Sequence, residues 1–553
     1  MFIPATREEM AAQGWYKPDV ILITGDSYID SPHVGVSVIG HVLMHYGYRV
    51  AIIPQPRDPA AITRFGEPRL FWGVTSGCMD AMVSNYTSLR RFRRRDDLTA
   101  GGCNTKRPDR ALIVYSNWIR TSYKHTAPII LGGIEASLRR LAHYDFWTNR
   151  VRRSVLHDAK ADALLYGMAE DTVLQVAHAL AADRPFRHLP GLCYLTGAGK
   201  QGYIVLPAYA EVAASPAAFA RMFSRFWDNS RPGARGMTQD QGGRTVVHNP
   251  PPAPVTATRL DQISLLPFER AAHPCHKAQG PVRALETIRF SIATHRGCFG
   301  DCRFCAIAAH QGRRVISRSP GNILEEARRL SRHPQFAGTI SDIGGPTANM
   351  YGMRCAMDKM ATCTRLCLYP DICPNLVFAH DTQLVLLEKL RALGIRHLFV
   401  ASGVRHDLVV ADPLGKQYLE ALMDRHTSGC MRVAPEHSHP QVLRLMRKPR
   451  ADLLLGFLDL FHSIRHARAL SVQLSYYYMV AHPGCGREEA DHLQRFIARH
   501  LPGAPRSVQI FTPAPSTWSA LMYHTARDPD SGNPLHVEHR IESKQRQKDL
   551  ISS

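Results

Sequence analysis

The feature that most constrains the fold is a repeated alternation of short apolar segments with segments of helical periodicity. Residues 19–26, DVILITGD, have the length and apolar content of a buried strand, and residues 33–46 carry a helical pattern that ends at Gly47. Further strand-like segments are YRVAIIPQ, LFWGVTSG, RALIVYSN, APIILGGIE and ADALLYGM. Strands joined by helical crossovers predict a parallel, doubly wound sheet. We therefore expect an N-terminal Rossmann-like α/β domain at residues 15–225.

Residues 228–255 interrupt this alternation with a stretch rich in Gly, Pro and polar residues. That composition predicts a linker or long surface loop, and we place a linker and approach segment at residues 226–285. Strand-like segments then resume as RFSIATHRG, GTISDIGG, RHLFVASG, CMRVAPE, LSVQLSYYYMVAHPG and SVQIFTPAP. A closed eightfold barrel takes about 250 residues, so six strand–helix repeats within residues 286–525 predict a partial barrel of the (β/α)6 TIM type. Residues 526–553 are charged and aperiodic, and we expect a frayed tail there.

Length and composition agree with this division. The chain of 553 residues holds three or four structural units at about 100–200 residues each, and 45% hydrophobic with 21% charged residues is typical of a globular protein. The first residues lack the pattern of a secretory signal, and no apolar run approaches the roughly 18–20 residues that span a bilayer. The thirteen cysteines are an odd number, which argues against a disulfide framework. We predict a reduced, cytoplasmic protein with no membrane partner.

Three cysteines directly follow the first strand of the second half. Cys298, Cys302 and Cys305 form C-x3-C-x2-C within THRGCFGDCRFCAIAAHQGR. Three thiolates on a tight loop can hold three irons of a cubane cluster and leave the fourth iron open, whereas a structural zinc site normally has four protein ligands. The alternative is a set of buried or zinc-binding thiols with a fourth donor elsewhere, such as Cys275.

The pattern C-x3-C-x-aromatic-C after the first strand of a partial barrel resembles the cluster motif of the radical S-adenosylmethionine (radical SAM) superfamily. The resemblance implies a [4Fe-4S] cluster on the three cysteines, with the amino and carboxylate groups of S-adenosylmethionine on its open iron. It implies that an electron from the reduced cluster breaks the carbon–sulfur bond and that a 5′-deoxyadenosyl radical takes a hydrogen atom from the substrate. Phe304 then lies on the adenine side. Gly344 and Gly345 match the pair that receives the amino group, although Pro346 replaces the usual glutamate.

Longer stretches resemble one family within that superfamily, the YgiQ-like radical SAM proteins. They include LFWGVTSGCMDAMVSNYT, ILGGIEASLRRLAHYDFW, LPFERAAHPCH, IGGPTANMYG, RVAPEHSHPQVLRLMRKP and AHPG, and they run from about residue 15 to 525. The resemblance implies a radical SAM enzyme of unspecified substrate, with a flavodoxin- or ferredoxin-like reductant protein as partner. Such proteins are expected to continue well beyond the barrel, whereas this chain stops at Ser553, so we expect a truncated or altered copy.

A second cysteine group follows the second strand of the predicted barrel and consists of Cys355, Cys363, Cys367 and Cys373. Cys363 and Cys367 are four residues apart and are expected to share a helix face. Four thiols within about 20 residues suit zinc or an auxiliary cluster, whereas their spacing matches no standard ligand pattern and also suits buried or redox-reactive thiols. The isolated thiols are expected in the core: Cys78, Cys103, Cys193, Cys430 and Cys485.

Cobalamin is not expected as a cofactor. Cobalamin-binding domains often precede a radical SAM barrel, and their cobalt-ligand signature is D-x-H-x-x-G. The nearest segment here runs from Asp30 through His33 to Gly35 and has the wrong spacing. A histidine that follows proline at a helix start is more often a cap or surface residue.

The formal net charge of +21 indicates an anionic partner. Arginines cluster in two regions: Arg90, Arg91, Arg93, Arg94 and Arg95, then Arg139, Arg140, Arg150, Arg152 and Arg153. Such clusters suit RNA phosphates, and they also suit solvated helix faces paired with carboxylates. Modification of tRNA or rRNA is therefore one alternative function, and a non-catalytic iron–sulfur or zinc redox or binding protein is another.

Three polar residues end the fourth strand of the predicted barrel: Arg432, Glu436 and His437. Functional residues of such barrels lie at the carboxyl ends of the strands. We therefore predict that Arg432 and Glu436 contact S-adenosylmethionine or substrate.

Overall fold

A computed structural model describes residues 1–357 and 363–552, which divide into two compact units. The first unit comprises Met1–Pro254 and Gln262–Arg289, and the second comprises Val255–Asp261 with the described residues from Phe290 onward. The first unit therefore extends past the expected boundary at residue 225. Among the described helices, none is both long and apolar enough to cross a bilayer.

The first unit is built on a sheet with nine strands in its described residues. They are β1 (Val20–Thr24), β2 (Val50–Pro54), β3 (Phe71–Thr75), β4 (Ile129–Leu131), β5 (Ala163–Leu165), β6 (Leu192–Thr196), β7 (Ile204–Val205), β8 (Met237–Asp240) and β9 (Thr245–His248). Their order is β7-β8-β9-β6-β5-β4-β3-β1-β2. Strands β1 to β5 pair in parallel, whereas β6 runs antiparallel to β5 and β9. Because β1 and β2 are entirely buried, as in a sheet covered on both faces, the predicted Rossmann-like layer is confirmed.

Helices and short hairpins complete the first unit. The helices are Arg7–Ala12, Gly35–His45, Pro59–Ile62, Ala81–Asn85, Ala111–Ser122, Gly133–Leu138, Val155–Ala159, Glu170–Ala181, Tyr209–Ala214, Pro216–Asp228 and Ala284–Ile288, and Ala257–Ser264 spans the unit boundary. Short strands also pair His143–Asp145 with Arg150–Arg152 and Ile29–Asp30 with Ala271–Ala272. The prediction of a strand at RALIVYSN is wrong, because these residues lie in the helix Ala111–Ser122, which buries Leu112, Tyr115 and Ile119 at helical spacing.

The predicted linker at residues 228–255 is also wrong, because β8 and β9 form a hairpin inside the sheet. Met237 pairs with His248, and β9 pairs with β6. The turn contains Gly242 and Gly243, whose φ angles are 82° and 84°. A Gly-Gly pair between two strand-like segments is a hairpin signal. The hairpin is hard to recognise in the sequence because each strand has only four residues and the neighbouring segments are rich in proline and polar residues.

Two arginines of the second region, Arg139 and Arg140, are buried. Arg139 is buried, with its guanidinium 2.8 Å from the carboxylate of Asp80 and 3.1 Å from that of Asp145. Arg140 is buried over the ring of Tyr166 at 4.7 Å. These two side chains therefore stabilise the fold and are not part of a phosphate-binding surface.

The second unit contains the predicted partial barrel. Its strands are β10 (Ser291–Ala293), β11 (His295–Arg296), β12 (Ile316–Ser317), β13 (Thr339–Ile340), β14 (Asp342–Gly344), β15 (Arg354–Cys355), β16 (Leu376–Val377), β17 (His397–Leu398), β18 (Cys430–Glu436), β19 (Gln473–Val480) and β20 (Arg506–Ile510). Parallel pairs join β10 to β14, β13 to β17, β18 to β19 and β19 to β20. The Ile343 N–H donates to the Phe399 carbonyl at 2.8 Å, and Val404 bridges Val433 in parallel, so the barrel strands follow chain order.

The C-terminal residues form an ordered element where we expected a frayed tail. The helices of the second unit are Ala306–His310, Pro320–Ser331, Asp381–Arg391, His406–Ala411, Gly415–Arg425, Pro440–Met446, Ala451–Ala467, Arg487–His500, Trp518–Thr525 and Ile541–Ser552. The last of these buries Lys544, Gln547 and Ile551, and the Lys544 ammonium donates to the Tyr523 hydroxyl at 2.9 Å. Because two of these three buried side chains are polar, apolar residues do not recur at helical spacing in this segment, and the sequence pattern does not predict a helix.

Candidate functional site

The three cysteines of C-x3-C-x2-C lie on one closed loop between β11 and the helix Ala306–His310. The Gly300 N–H donates to the sulfur of Cys298 at 3.3 Å. A Cβ atom added to Gly300 would lie 3.3 Å from the Cys298 sulfur and 3.6 Å from the Cys302 sulfur, so the two thiols flank this glycine. Gly297 has a φ of 78°, and a side chain there would collide with the Arg314 carbonyl. The two glycines therefore allow the backbone to close tightly around the thiols.

Two cations from distant parts of the chain face these thiols. Burial raises the pKa of Cys302, and Lys448 and Arg405 oppose that rise. Arg405 is itself buried and lies 2.6 Å from the carboxylate of Asp407. Positive charge beside a thiol stabilises the thiolate that binds metal. Sequence reasoning missed Arg405 and Lys448, because they lie on other loops and have no fixed spacing from the cysteines.

The donor set fits an iron–sulfur cluster that has one open iron. Three thiols on one loop supply three ligands, and the neighbouring cations suit an anionic cluster. No three His, Cys, Asp or Glu side chains within residues 1–357 and 363–552 form a ready site for a single metal ion. Cys275, the alternative fourth donor, belongs to the first unit, where its N–H donates to the His273 ring at 3.1 Å.

The predicted glycine pair lies at the carboxyl end of the second barrel strand. Gly344 ends β14, and a Cβ atom on Gly345 would lie 2.5 Å from the ring of His295. Both positions therefore require glycine, because Ser402 and His295 fill the space that a side chain would occupy. The Thr347 hydroxyl lies 3.5 Å from the Cys298 sulfur, so the loop after the glycines reaches the cysteine loop.

Phe304 is held beside the third cysteine by the backbone of its neighbour. The Arg303 N–H donates to the Met446 carbonyl at 3.0 Å, and the Arg303 carbonyl accepts from the Ser519 N–H at 3.0 Å. The ring of Phe304 is half-buried, with its centroid 6.5 Å from that of His482. This placement keeps Phe304 available for an adenine ring, and that role stays a prediction.

Of the two predicted cofactor contacts on β18, the structure brings Glu436 to the cysteines and leaves Arg432 exposed four residues earlier. Glu436 is buried with a φ of 67°, and its carboxylate lies 3.9 Å from the Lys448 ammonium. Burial, the neighbouring thiols and this carboxylate raise the pKa of Cys305 to about 12. His437, next in sequence, is buried with a ring nitrogen 3.5 Å from the Cys485 sulfur.

Replacement of Glu436 tests whether its side chain contacts S-adenosylmethionine. Its Oε2 atom is buried and has no hydrogen-bond partner among the described residues, so it is available to a bound ligand. We expect Glu436→Gln to keep the iron content and to weaken S-adenosylmethionine binding by about tenfold, because a hydrogen bond to a charged group contributes about 1.5–3 kcal/mol. Equilibrium dialysis against labelled S-adenosylmethionine measures the change.

Glu488→Gln is the matched control, since Glu488 is exposed on the helix Arg487–His500. It should bind S-adenosylmethionine as the wild type does. Equal affinity of the Glu436→Gln and wild-type proteins would exclude a ligand contact at Glu436.

The second cysteine group lies in the same unit as the first. The expected helix face is wrong, because residues 363–366 are irregular; residues 358–362 lie outside the described part of the chain. All thirteen cysteines lie among the described residues, and each of them is a free thiol. Of the scattered thiols, Cys193 and Cys485 are buried as predicted, whereas Cys103 and Cys430 are exposed.

Two family models match the chain from residue 2 to residue 497. Residues 2–291 match the family described as Radical SAM N-terminal, and residues 292–497 match the Radical SAM superfamily. A UPF0313 protein of Fusobacterium nucleatum subsp. nucleatum is 45% identical over 559 aligned positions, which cover 100% of this chain and 98% of that relative. A UPF0313 protein of Methanocella arvoryzae is 42% identical, with 99% and 92% covered. These two relatives continue little beyond the matched region, whereas a UPF0313 protein of Methanosarcina acetivorans, 39% identical, is covered over only 78% of its length.

A solved structure corrects the cobalamin prediction. The radical S-adenosylmethionine methyltransferase TsrM from Kitasatospora setae, with cobalamin and a [4Fe-4S] cluster bound, has a TM-score of 0.54 and 14% identity, covering 92% of this chain and 78% of that one. Our exclusion of cobalamin was therefore wrong, because the fold resembles that of a cobalamin-bound enzyme.

The segment from which we argued against cobalamin has its own structural role. The Asp30 carboxylate lies 2.8 Å from the His41 ring and accepts from the Glu269 N–H at 2.9 Å. These contacts hold Asp30 in place within the first unit.

The motifs, the partial barrel and the full-length relatives lead to one conclusion. The same cysteine loop that defines the candidate site falls within the matched superfamily region. The chain belongs to the UPF0313 family and is an enzyme of the radical SAM superfamily.

Proposed function

We propose that Cys298, Cys302 and Cys305 bind a [4Fe-4S] cluster and that this enzyme cleaves S-adenosylmethionine reductively to begin radical chemistry on its substrate. The proposal rests on the tight loop that carries three thiols and has Arg405 and Lys448 beside it. When bound, the reduced cluster would supply the electron for cleavage of the carbon–sulfur bond.

The chain's own residues hold and shield the ligands in this proposal. The thiolates of the cysteine loop would provide three ligands, and Arg405 and Lys448 favour the ionised form of Cys302. The backbone of Gly344 and Gly345 would receive the amino group of S-adenosylmethionine, and Glu436 offers a buried oxygen that has no hydrogen bond among the described residues. Burial of Glu436 and His437 keeps water from this end of β18.

Product analysis tests the proposal. Protein reconstituted anaerobically with iron and sulfide is mixed with S-adenosylmethionine and dithionite, and 5′-deoxyadenosine is measured by liquid chromatography. We expect 5′-deoxyadenosine to form, and reduced flavodoxin or ferredoxin to replace dithionite. An iron-loaded protein that never forms this product would refute the proposal and favour the non-catalytic alternative.

An RNA substrate is a second candidate, supported by the first arginine region. All five arginines between residues 90 and 95 are exposed, with the exposed Phe92 among them. Exposed arginines next to an aromatic ring suit phosphate and base contacts. We expect tRNA binding in a filter assay to weaken as the salt concentration rises. Replacing Arg93, Arg94 and Arg95 together by Gln should lower the affinity. It should also reduce the slope of log affinity against log salt concentration by the equivalent of about three phosphate contacts. An unchanged salt slope would contradict this candidate.

A further inference from the structure

Backbone contacts bring three cysteines of the second group close together: Cys355, Cys367 and Cys373. Cys355 in β15 stands opposite Leu376 in β16. The Leu376 N–H donates to the Cys373 carbonyl at 2.9 Å, and the Cys373 N–H donates to the Cys367 carbonyl at 2.9 Å. Segments distant in sequence are thereby held in one place, so Cys355, Cys367 and Cys373 share one small region of the unit.

The fourth cysteine is close to the other three along the chain. Cys363 lies four residues before Cys367 on irregular backbone. All four thiols are half-buried, so each is accessible to a bound cluster. The electrostatics agree with this arrangement, since the charges of Cys355, Cys363 and Cys373 act on Cys367.

This region borders the first cysteine loop. Cys367 and Cys373 pack against an apolar cluster that includes Phe299 and Met350, and Cys298 packs against the same cluster. The Arg314 carbonyl lies against Gly297 of the first loop. The second group therefore lies beside the first and shares its apolar surroundings.

The chemistry of the donors selects the occupant. Four thiols are soft ligands that suit zinc or iron–sulfur clusters, and each is half-buried. A single zinc ion with bonds of about 2.3 Å requires sulfurs only about 3.8 Å apart, and no three such donors in the described ranges 1–357 and 363–552 are arranged for one ion. In a cubane each thiolate binds a different iron, so the sulfurs stand farther apart.

We propose that Cys355, Cys363, Cys367 and Cys373 bind a second [4Fe-4S] cluster, beside the loop of Cys298, Cys302 and Cys305. Four cysteines complete the coordination of all four irons, which distinguishes this site from the first. This inference goes beyond the proposed function, because it requires no turnover of S-adenosylmethionine.

Iron and sulfide analysis after anaerobic reconstitution tests the proposal. Wild-type protein should hold two [4Fe-4S] clusters, or about eight iron ions per chain. A variant with Cys298, Cys302 and Cys305→Ala should keep about half of the iron, the absorption near 400 nm and an electron paramagnetic resonance signal after reduction. A variant with Cys367 and Cys373→Ala should also lose about half of the iron, and the exposed Cys103→Ala control should lose none.

Three results would each overturn the second cluster. They are about four iron ions in the wild type, loss of all cluster from the Cys298, Cys302 and Cys305 variant in a folded chain, and zinc as the metal held by that variant. The wild-type count needs no variant to fold, and circular dichroism reports folding of the variants. Because the Cys298, Cys302 and Cys305 variant isolates the second group, its result is separate from any failure to form 5′-deoxyadenosine.

Discussion

Cys302→Ala is expected to abolish formation of 5′-deoxyadenosine. Cys302 is the central cysteine of its loop and has Arg405 and Lys448 beside it. Its removal leaves one iron without a protein ligand, so the cluster is lost on reconstitution. Mutation of residues that only support metal ligands costs about 10–100-fold in metal affinity or activity. Loss of a ligand itself should therefore lower the amount of 5′-deoxyadenosine by more than about 100-fold. Liquid chromatography of the product and iron analysis measure the effect together.

The comparison for Cys302→Ala is Cys430→Ala in the same unit. Cys430 is exposed and begins β18, the strand that ends at Glu436. Its loss should leave both iron content and 5′-deoxyadenosine unchanged. Wild-type product levels from Cys302→Ala would exclude this loop as the site of S-adenosylmethionine cleavage, whatever the chain's total iron.

Arg139→Ala is expected to destabilise the first unit by about 3–5 kcal/mol, the range for breaking a buried ion pair from one side. Desolvation disfavours the charge of Arg139, but Asp80, Glu135 and Asp145 outweigh it and raise the pKa of the guanidinium. The substitution leaves Asp80 buried without that partner and also opens a cavity. A shift of roughly 10 °C in the unfolding midpoint follows for a unit of this size.

Tryptophan fluorescence follows this transition, because five of the six tryptophans lie in the first unit. Arg150→Ala is the control, since Arg150 is an exposed arginine of the same sequence region, and it should change stability by less than about 0.5 kcal/mol. If the two variants unfold at the same midpoint, Arg139 does not stabilise the unit as an internal ion pair.

The same network makes the first unit sensitive to acid. Burial raises the pKa of Asp145, but hydrogen bonds from Arg110 and the charge of Arg139 outweigh burial and bring the pKa well below its ordinary value. A carboxyl whose pKa is lower in the folded state contributes stability above its unfolded pKa of about 3.9 and loses it as pH falls below that value. We expect the urea midpoint followed by fluorescence to decline below about pH 4, and to decline less in Asp145→Asn. An equal decline in both proteins would contradict this assignment.

Local patterns were sufficient for the architecture and for the first cysteine loop. Alternating strands and helices identify the parallel sheet and the partial barrel, because buried parallel strands are continuous apolar runs such as VILIT. C-x3-C-x2-C can be read directly, since its three ligands lie within eight residues of one another. The same approach failed at the hairpin of β8 and β9 and at the helix Ile541–Ser552, where short strands or buried polar side chains weaken the hydropathy pattern.

The sequence by itself determined the family, the two-part α/β fold and the three cysteines. Only the tertiary structure decided which charges and thiols act together. It buries Arg139 and leaves Arg93 exposed, and it brings Arg405, Lys448 and Glu436 to the cysteine loop. It also brings Cys355, Cys367 and Cys373 together through backbone contacts. The physical reason is that burial and electrostatic contact depend on distances in space, which residues on separate loops do not encode in their spacing along the chain.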